Sequence, residues 1–110
     1  MFVHVSLAQG RWYELSFMEQ MGNIASETGR MVQWHGKDQK RFQHAHERAL
    51  ELIDLTRSDP RWHTFSRLKE ISRLRELLND AVLGGKEYGT RLGDLDRYVF
   101  QFAKAARLRT

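Results

Sequence analysis

The sequence predicts an all-α fold, an antiparallel up-down four-helix bundle with an N-terminal arm. Three observations carry that prediction. Apolar residues recur at three- and four-residue steps in four separate stretches, the period of a helix with one buried side. The stretches meet at corners marked by Gly36, by Asp59-Pro60 and by Gly84-Gly85. Those corners are only a few residues long, and links so short oblige consecutive helices to lie side by side and antiparallel. The division expected is an arm over residues 1–15 and a bundle domain over residues 16–110.

The arm holds Phe2, Val3, Val5, Leu7, Trp12, Tyr13 and Leu15, with Gly10 breaking the run. These residues favour extended structure or a short helix near residues 6–9. Trp12 and Tyr13 are expected to pack on the bundle, because large aromatics rarely stay in water without a partner. The first long helix opens on a capping box, Ser16 with Glu19. Its apolar stripe reads Phe17, Met21, Ile24, Ala25, Thr28, Met31, Val32 and His35, and Gly36 supplies a left-handed terminator. Gly22, Ser26 and Gly29 form a strip of small residues on this helix. The strip reads first as tight packing inside the fold, and alternatively as a binding groove for a ligand or a partner helix.

The second helix is the clearest signal in the chain. Asp38 caps it, and Phe42, Ala45, Ala49, Leu52, Ile53 and Thr56 fall within one narrow arc. His46 borders that arc, Leu50 widens it, and Leu55 points elsewhere, towards a second neighbour or a dimer interface. Asp59 then caps a third helix expected to run from Pro60 to about Leu83. Its expected buried face is Phe65, Leu68, Ile71, Leu74, Leu78, Ala81 and Val82. Arg67 projects near the middle of that face and Arg75 at its edge, and a charge there must be paired or reach water. Glu27, Glu51, Asp54 and Glu70 are the candidate partners. The last helix starts from a cap at Thr90 and buries Leu92, Leu95, Tyr98, Val99, Phe102, Ala103 and Ala106.

Composition narrows the classes of function. The chain has 110 residues, 41% hydrophobic and 29% charged, the profile of one globular domain with its own core. It has no cysteine, which excludes disulfides, thiol nucleophiles and cysteine-ligated metals and suits a cytoplasmic location. No apolar run approaches the roughly 18 residues of a membrane span. The apolar start lacks a positive leading region and is not read as a signal peptide.

The net charge of +4 comes from 18 basic and 14 acidic residues, mostly interleaved as on a solvated helix face. Lys69, Arg73, Lys104, Arg107 and Arg109 are the residues a nucleic-acid-binding reading would use. No metal and no cofactor are expected. Three positions before His35, His44, His46 and His63 stand Val32, Arg41, Gln43 and Pro60, so the Glu-x-x-His pair of a di-iron bundle is missing. His44 and His46 point to nearly opposite sides of a helix. Neither a G-x-S-x-G elbow nor a P-loop is present.

Two resemblances bear on function. Arg41-Phe42-Gln43-His44-Ala45-His46 reads R-x4-H. It resembles the R-x4-to-6-H motif of the HEPN family of helical domains, whose arginine and histidine are implicated in RNA cleavage. That resemblance implies His46 as a proton shuttle and Arg41 as a holder of phosphate charge, in a ribonuclease or a toxin–antitoxin component. The sequence departs from the family in placing the motif on the second helix rather than towards the C-terminus. Arg57 and His63 satisfy the same spacing.

The second resemblance rests on Leu15-Ser16-Phe17-Met18-Glu19-Gln20-Met21-Gly22-Asn23-Ile24-Ala25-Ser26-Glu27, on Glu47-Arg48-Ala49-Leu50-Glu51-Leu52-Ile53-Asp54-Leu55-Thr56 with Asp59-Pro60-Arg61-Trp62, and on Arg67-Leu68-Lys69-Glu70 with Leu74-Arg75-Glu76. Over residues 11–107 the chain is similar to a group of short uncharacterised all-helical proteins of bacteria and archaea. That likeness implies the element boundaries and no activity.

The function expected is a non-enzymatic helical interaction protein that self-associates, a homodimer being favoured. Met18, Trp34, Leu55, Phe100 and Leu108, which lie off the main stripes, motivate it together with the Gly22, Ser26 and Gly29 strip. The alternatives are the HEPN-like ribonuclease and a nucleic-acid-binding helical domain.

Overall fold

The computed structural model describes residues 10–84, 89 and 91–108, the side chains at 103 and 105–108 excepted. Four α-helices, α1 (Phe17–Trp34), α2 (Gln39–Arg57), α3 (Phe65–Val82) and α4 (Leu92–Leu108), form an all-α bundle with no strand among the described residues. Two 3-10 turns, Arg11–Glu14 and Pro60–Trp62, sit at one end of it.

Local chemistry sets the ends of the first two helices. The Ser16 hydroxyl accepts the Glu19 amide at 3.1 Å and the Glu19 carboxylate accepts the Ser16 amide at 2.9 Å, a complete capping box. Gly36, at φ 73°, takes the left-handed turn that ends α1, and Asp38 caps α2 by accepting from the Arg41 amide at 3.1 Å.

Contacts between helices give the directions. Thr28 meets Asp96 near one end of α4, while Phe17 meets Phe102 further along it. Gln20 reaches Asp59 and His35 stacks near Phe42, so α1 and α2 also run oppositely. Arg75 pairs with Asp54, and Asn79 stands at the His46 imidazole, which makes α3 antiparallel to α2. The order is up-down-up-down, as the short corners require. Helix α1 packs broadly against α2 and α4, whereas α3 meets both along narrower seams. The core between them holds Met21, Ile24, Met31, Ile53, Leu74, Leu78 and Val99, each at most 2% exposed.

Five expectations are corrected. The third helix begins at Phe65 rather than Pro60. Trp62 and His63 donate to the carbonyls of Asp59 and Pro60 in 3-10 fashion, and Thr64 then caps a new helix at Arg67. Phe65, expected in the core, is 83% exposed. Repeated steps of three precess by about 60° each, so a stripe counted from Phe65 through Leu68 and Ile71 has turned half-way round by Leu74. Val32 and His35, expected on the apolar stripe of α1, and Tyr98, expected on that of α4, are exposed as well. Leu55, expected to point towards a second neighbour or a dimer interface, is buried within the chain's own core, in one cluster with Leu52.

The short helix expected at residues 6–9, the Thr90 cap and the side chains of Ala103, Ala106, Arg107, Leu108 and Arg109 lie outside the described residues.

Candidate functional site

The most concentrated polar chemistry lies at the end of the bundle where the two 3-10 turns meet. The Gln20 amide donates to the Trp12 carbonyl at 2.8 Å and to Asp59 Oδ2 at 3.0 Å, and accepts from the Trp62 indole at 2.8 Å. The Trp12 indole donates to the Thr56 hydroxyl at 3.1 Å, which in turn donates to the Leu52 carbonyl. The Arg61 guanidinium grips Asp59 through Nε and Nη2 and also donates from Nη2 to the Leu15 carbonyl at 2.5 Å. Trp12, Gln20, Thr56 and Asp59 are all 0% exposed.

Burial pushes the Asp59 carboxyl up. Hydrogen bonds from Arg61 and Gln20, with the Arg61 charge, outweigh that and hold its pKa below the ordinary carboxylate value. This cluster joins the arm, α1 and the α2–α3 corner. Its members face one another, and its chemistry is that of a satisfied buried network that fixes geometry. Asp59-Pro60-Arg61-Trp62 was visible in the sequence. Gln20 was not singled out, although it sits three positions after Phe17 and four before Ile24 on the buried side.

The candidates read from the sequence fall into three places. Arg41 and His46 lie five positions apart, about 140° around α2. Arg41 stacks on Trp34 with its guanidinium 4.5 Å from the ring and pairs with Asp38 at 3.5 Å. His46 instead turns towards Asn79 on α3, with Nε2 buried and without a hydrogen-bond partner. Burial lowers its pKa, against smaller upward effects of the Asn79 side chain and the Glu47 charge.

The small-residue strip divides. Gly29 faces α4, where an added Cβ would stand 3.8 Å from Asp96 Oδ1, and the neighbouring Thr28 hydroxyl donates to that same oxygen at 2.7 Å. Ser26 is exposed and donates to the Gly22 carbonyl. Gly29 therefore lies on the side of α1 that meets α4, at a spacing that leaves room for an ordinary methyl group.

Arg67 and Arg75 find partners among the acids named from sequence. Arg67 pairs with Glu70 at 3.2 Å and lays its guanidinium 4.1 Å from the Phe17 ring centre. Arg75 pairs with Asp54 at 2.9 Å. The charge on the buried side of α3 is thus met by an aromatic face and a carboxylate.

The narrow seam between α3 and α4 leaves an open groove of about 480 Å³, within the size range of ligand and peptide clefts. Phe65, Leu74, Leu77 and Tyr98 supply its apolar surface, and Lys69, Glu70 and Arg73 its charges. Burial, and secondarily the Glu70 carboxylate, raise the Tyr98 pKa, so the phenol stays protonated at neutral pH. A file of edge-to-face rings, Trp62, Phe17, Phe102 and Tyr98, runs from the buried network to this groove. Phe65 was named in the sequence as core. Its position directly opposite Leu74 around the helix was the available sign that it belongs to the outer face.

Among the described residues no three metal-binding side chains gather, and no helix is long and apolar enough to cross a membrane. Comparison with protein-family models, curated proteins and solved structures returns no match. What the fold and groove define is a class, a small four-helix domain with an apolar cleft beside an exposed aromatic.

Proposed function

We propose that this chain is a non-enzymatic helical interaction protein that assembles with copies of itself. The observation that carries the reading is Phe65, a large aromatic 83% exposed on the rim of an apolar groove. Burying such a side chain is worth roughly 1.5–3 kcal/mol, and a helical domain this small gains that only through a partner. Leu83, 72% exposed, and Phe100, 46% exposed, add to the apolar surface that association would cover. The reading stands ahead of ribonuclease chemistry because Arg41 and His46 engage different neighbours on different sides of α2.

Sedimentation velocity and light scattering between about 1 and 100 µM test it, a range set by the affinities of ordinary reversible complexes. The expected result is a mass that rises above 13.0 kDa with concentration. A mass of 13.0 kDa throughout would overturn the proposal.

A further inference from the structure

We infer that the occupant of the α3–α4 groove is the α3 helix of a second copy, antiparallel to the first around a two-fold axis near Ser72. The inference rests on the self-association reading above and assigns it a surface and a register. Leu83, the residue that ends α3, lies 18 positions or five whole helical turns from Phe65, so the two continue one side of the helix. They are the two most exposed large hydrophobic residues of the described chain, and they stand opposite the core residues Leu74 and Leu78. Between them the outer face carries Lys69, Arg73 and Glu76, with Glu70 on the groove side.

The order of these charges selects the orientation. In a parallel pairing each cation would face its own copy. Turned about Ser72, Lys69 comes within one residue position of Glu76 of the partner subunit, and Arg73 within one residue position of Glu70 of the partner subunit. The same turn brings Phe65 within about one helical turn of Leu77 of the partner subunit, which lines the groove. Every contact then occurs twice by symmetry, as an isologous interface requires. Cation meets carboxylate at each level, and the exposed aromatic meets the apolar cleft. The span from Phe65 to Leu83 is about 27 Å, a length suited to a standard-sized interface.

Charge exchange tests the register. Lys69→Glu puts a carboxylate against Glu76 of the partner subunit, and Glu76→Lys puts an ammonium against Lys69 of the partner subunit. Both positions are exposed on α3. Each variant alone is expected to weaken self-association by at least about tenfold, the cost of placing like charges together. Mixed in equal amounts, the two variants present opposite charges at both levels and are expected to form a heterodimer as tight as the wild-type dimer, read by sedimentation. Ser72→Cys, the only thiol in the chain, is expected to cross-link to itself with a short bis-maleimide, while Val32→Cys is not.

Single variants that still dimerise like the wild type overturn the surface and leave self-association standing. Single variants that dissociate but do not recover on mixing overturn the antiparallel register. A wild-type chain that stays monomeric removes the self-association reading itself.

Discussion

Asp59→Ala strikes the buried network at the residue most of it converges on. The substitution removes the cap on the Arg61 amide, worth about 1 kcal/mol. It also removes an ionised acceptor from Gln20, a hydrogen bond to a charged group worth about 1.5–3 kcal/mol. The ion pair with Arg61 adds little, about 0–1 kcal/mol, because the arginine is 40% exposed and can turn to water. Because these contributions share partners they are not strictly additive, and a total of roughly 3–4 kcal/mol is expected. For a domain of this size that is a fall in Tm of roughly 12–25 °C.

Asp59→Asn keeps the size and a cap while removing the charge, so it should cost less, roughly 1–2 kcal/mol. Thermal and urea unfolding followed by circular dichroism at 222 nm measure both. Acid supplies a second signature. The folded-state pKa of Asp59 is depressed, so its contribution is present above the unfolded-state value and is lost as pH falls through the folded one. The gap between wild type and Asp59→Asn should therefore hold steady above about pH 5 and close below about pH 4. An Asp59→Ala protein within about 0.5 kcal/mol of wild type would refute the reasoning, since that is the scatter of an ordinary surface substitution.

Other substitutions probe the remaining claims. Leu52→Ala, at a site 2% exposed, should cost about 2–5 kcal/mol, whereas Phe65→Ala should leave the monomer's unfolding free energy within about 0.5 kcal/mol of wild type. Equal losses at the two sites in urea melts would contradict the burial described here. His46 has a lowered folded-state pKa, so the unfolded chain binds more protons and stability should decline as pH falls below about 6.5. His46→Gln should flatten that slope, and an unchanged slope would assign it to other groups. Gly29→Ala meets only an ordinary contact with Asp96, so the gain in helix propensity should stabilise the protein by up to about 1 kcal/mol, and a loss in Tm would show that α1 and α4 need the bare backbone there.

The apolar period at three- and four-residue steps, the Ser16 and Asp38 caps and the left-handed turn at Gly36 are local effects, settled within a few residues. They were legible in the sequence, and so was the up-down order, because short corners leave consecutive helices no other course. Glu70 and Asp54 were named as partners for Arg67 and Arg75, but choosing among four acids needed the distances between helices. What the tertiary structure alone decided depends on which helix meets which, and how closely. Gln20 looks like a surface residue until Trp12 from the arm and Asp59 and Trp62 from the α2–α3 corner arrive around it. Phe65 looks like core until α3 is seen to restart at Thr64 with its inner side at Leu74. The groove exists because α1 takes most of the contact with α4 and leaves α3 a thin seam, a sharing of surface that no single helix encodes. Local pattern determines the elements through short-range sterics and hydrogen bonding, while the burial of polar groups and the clefts between helices follow from packing over long range.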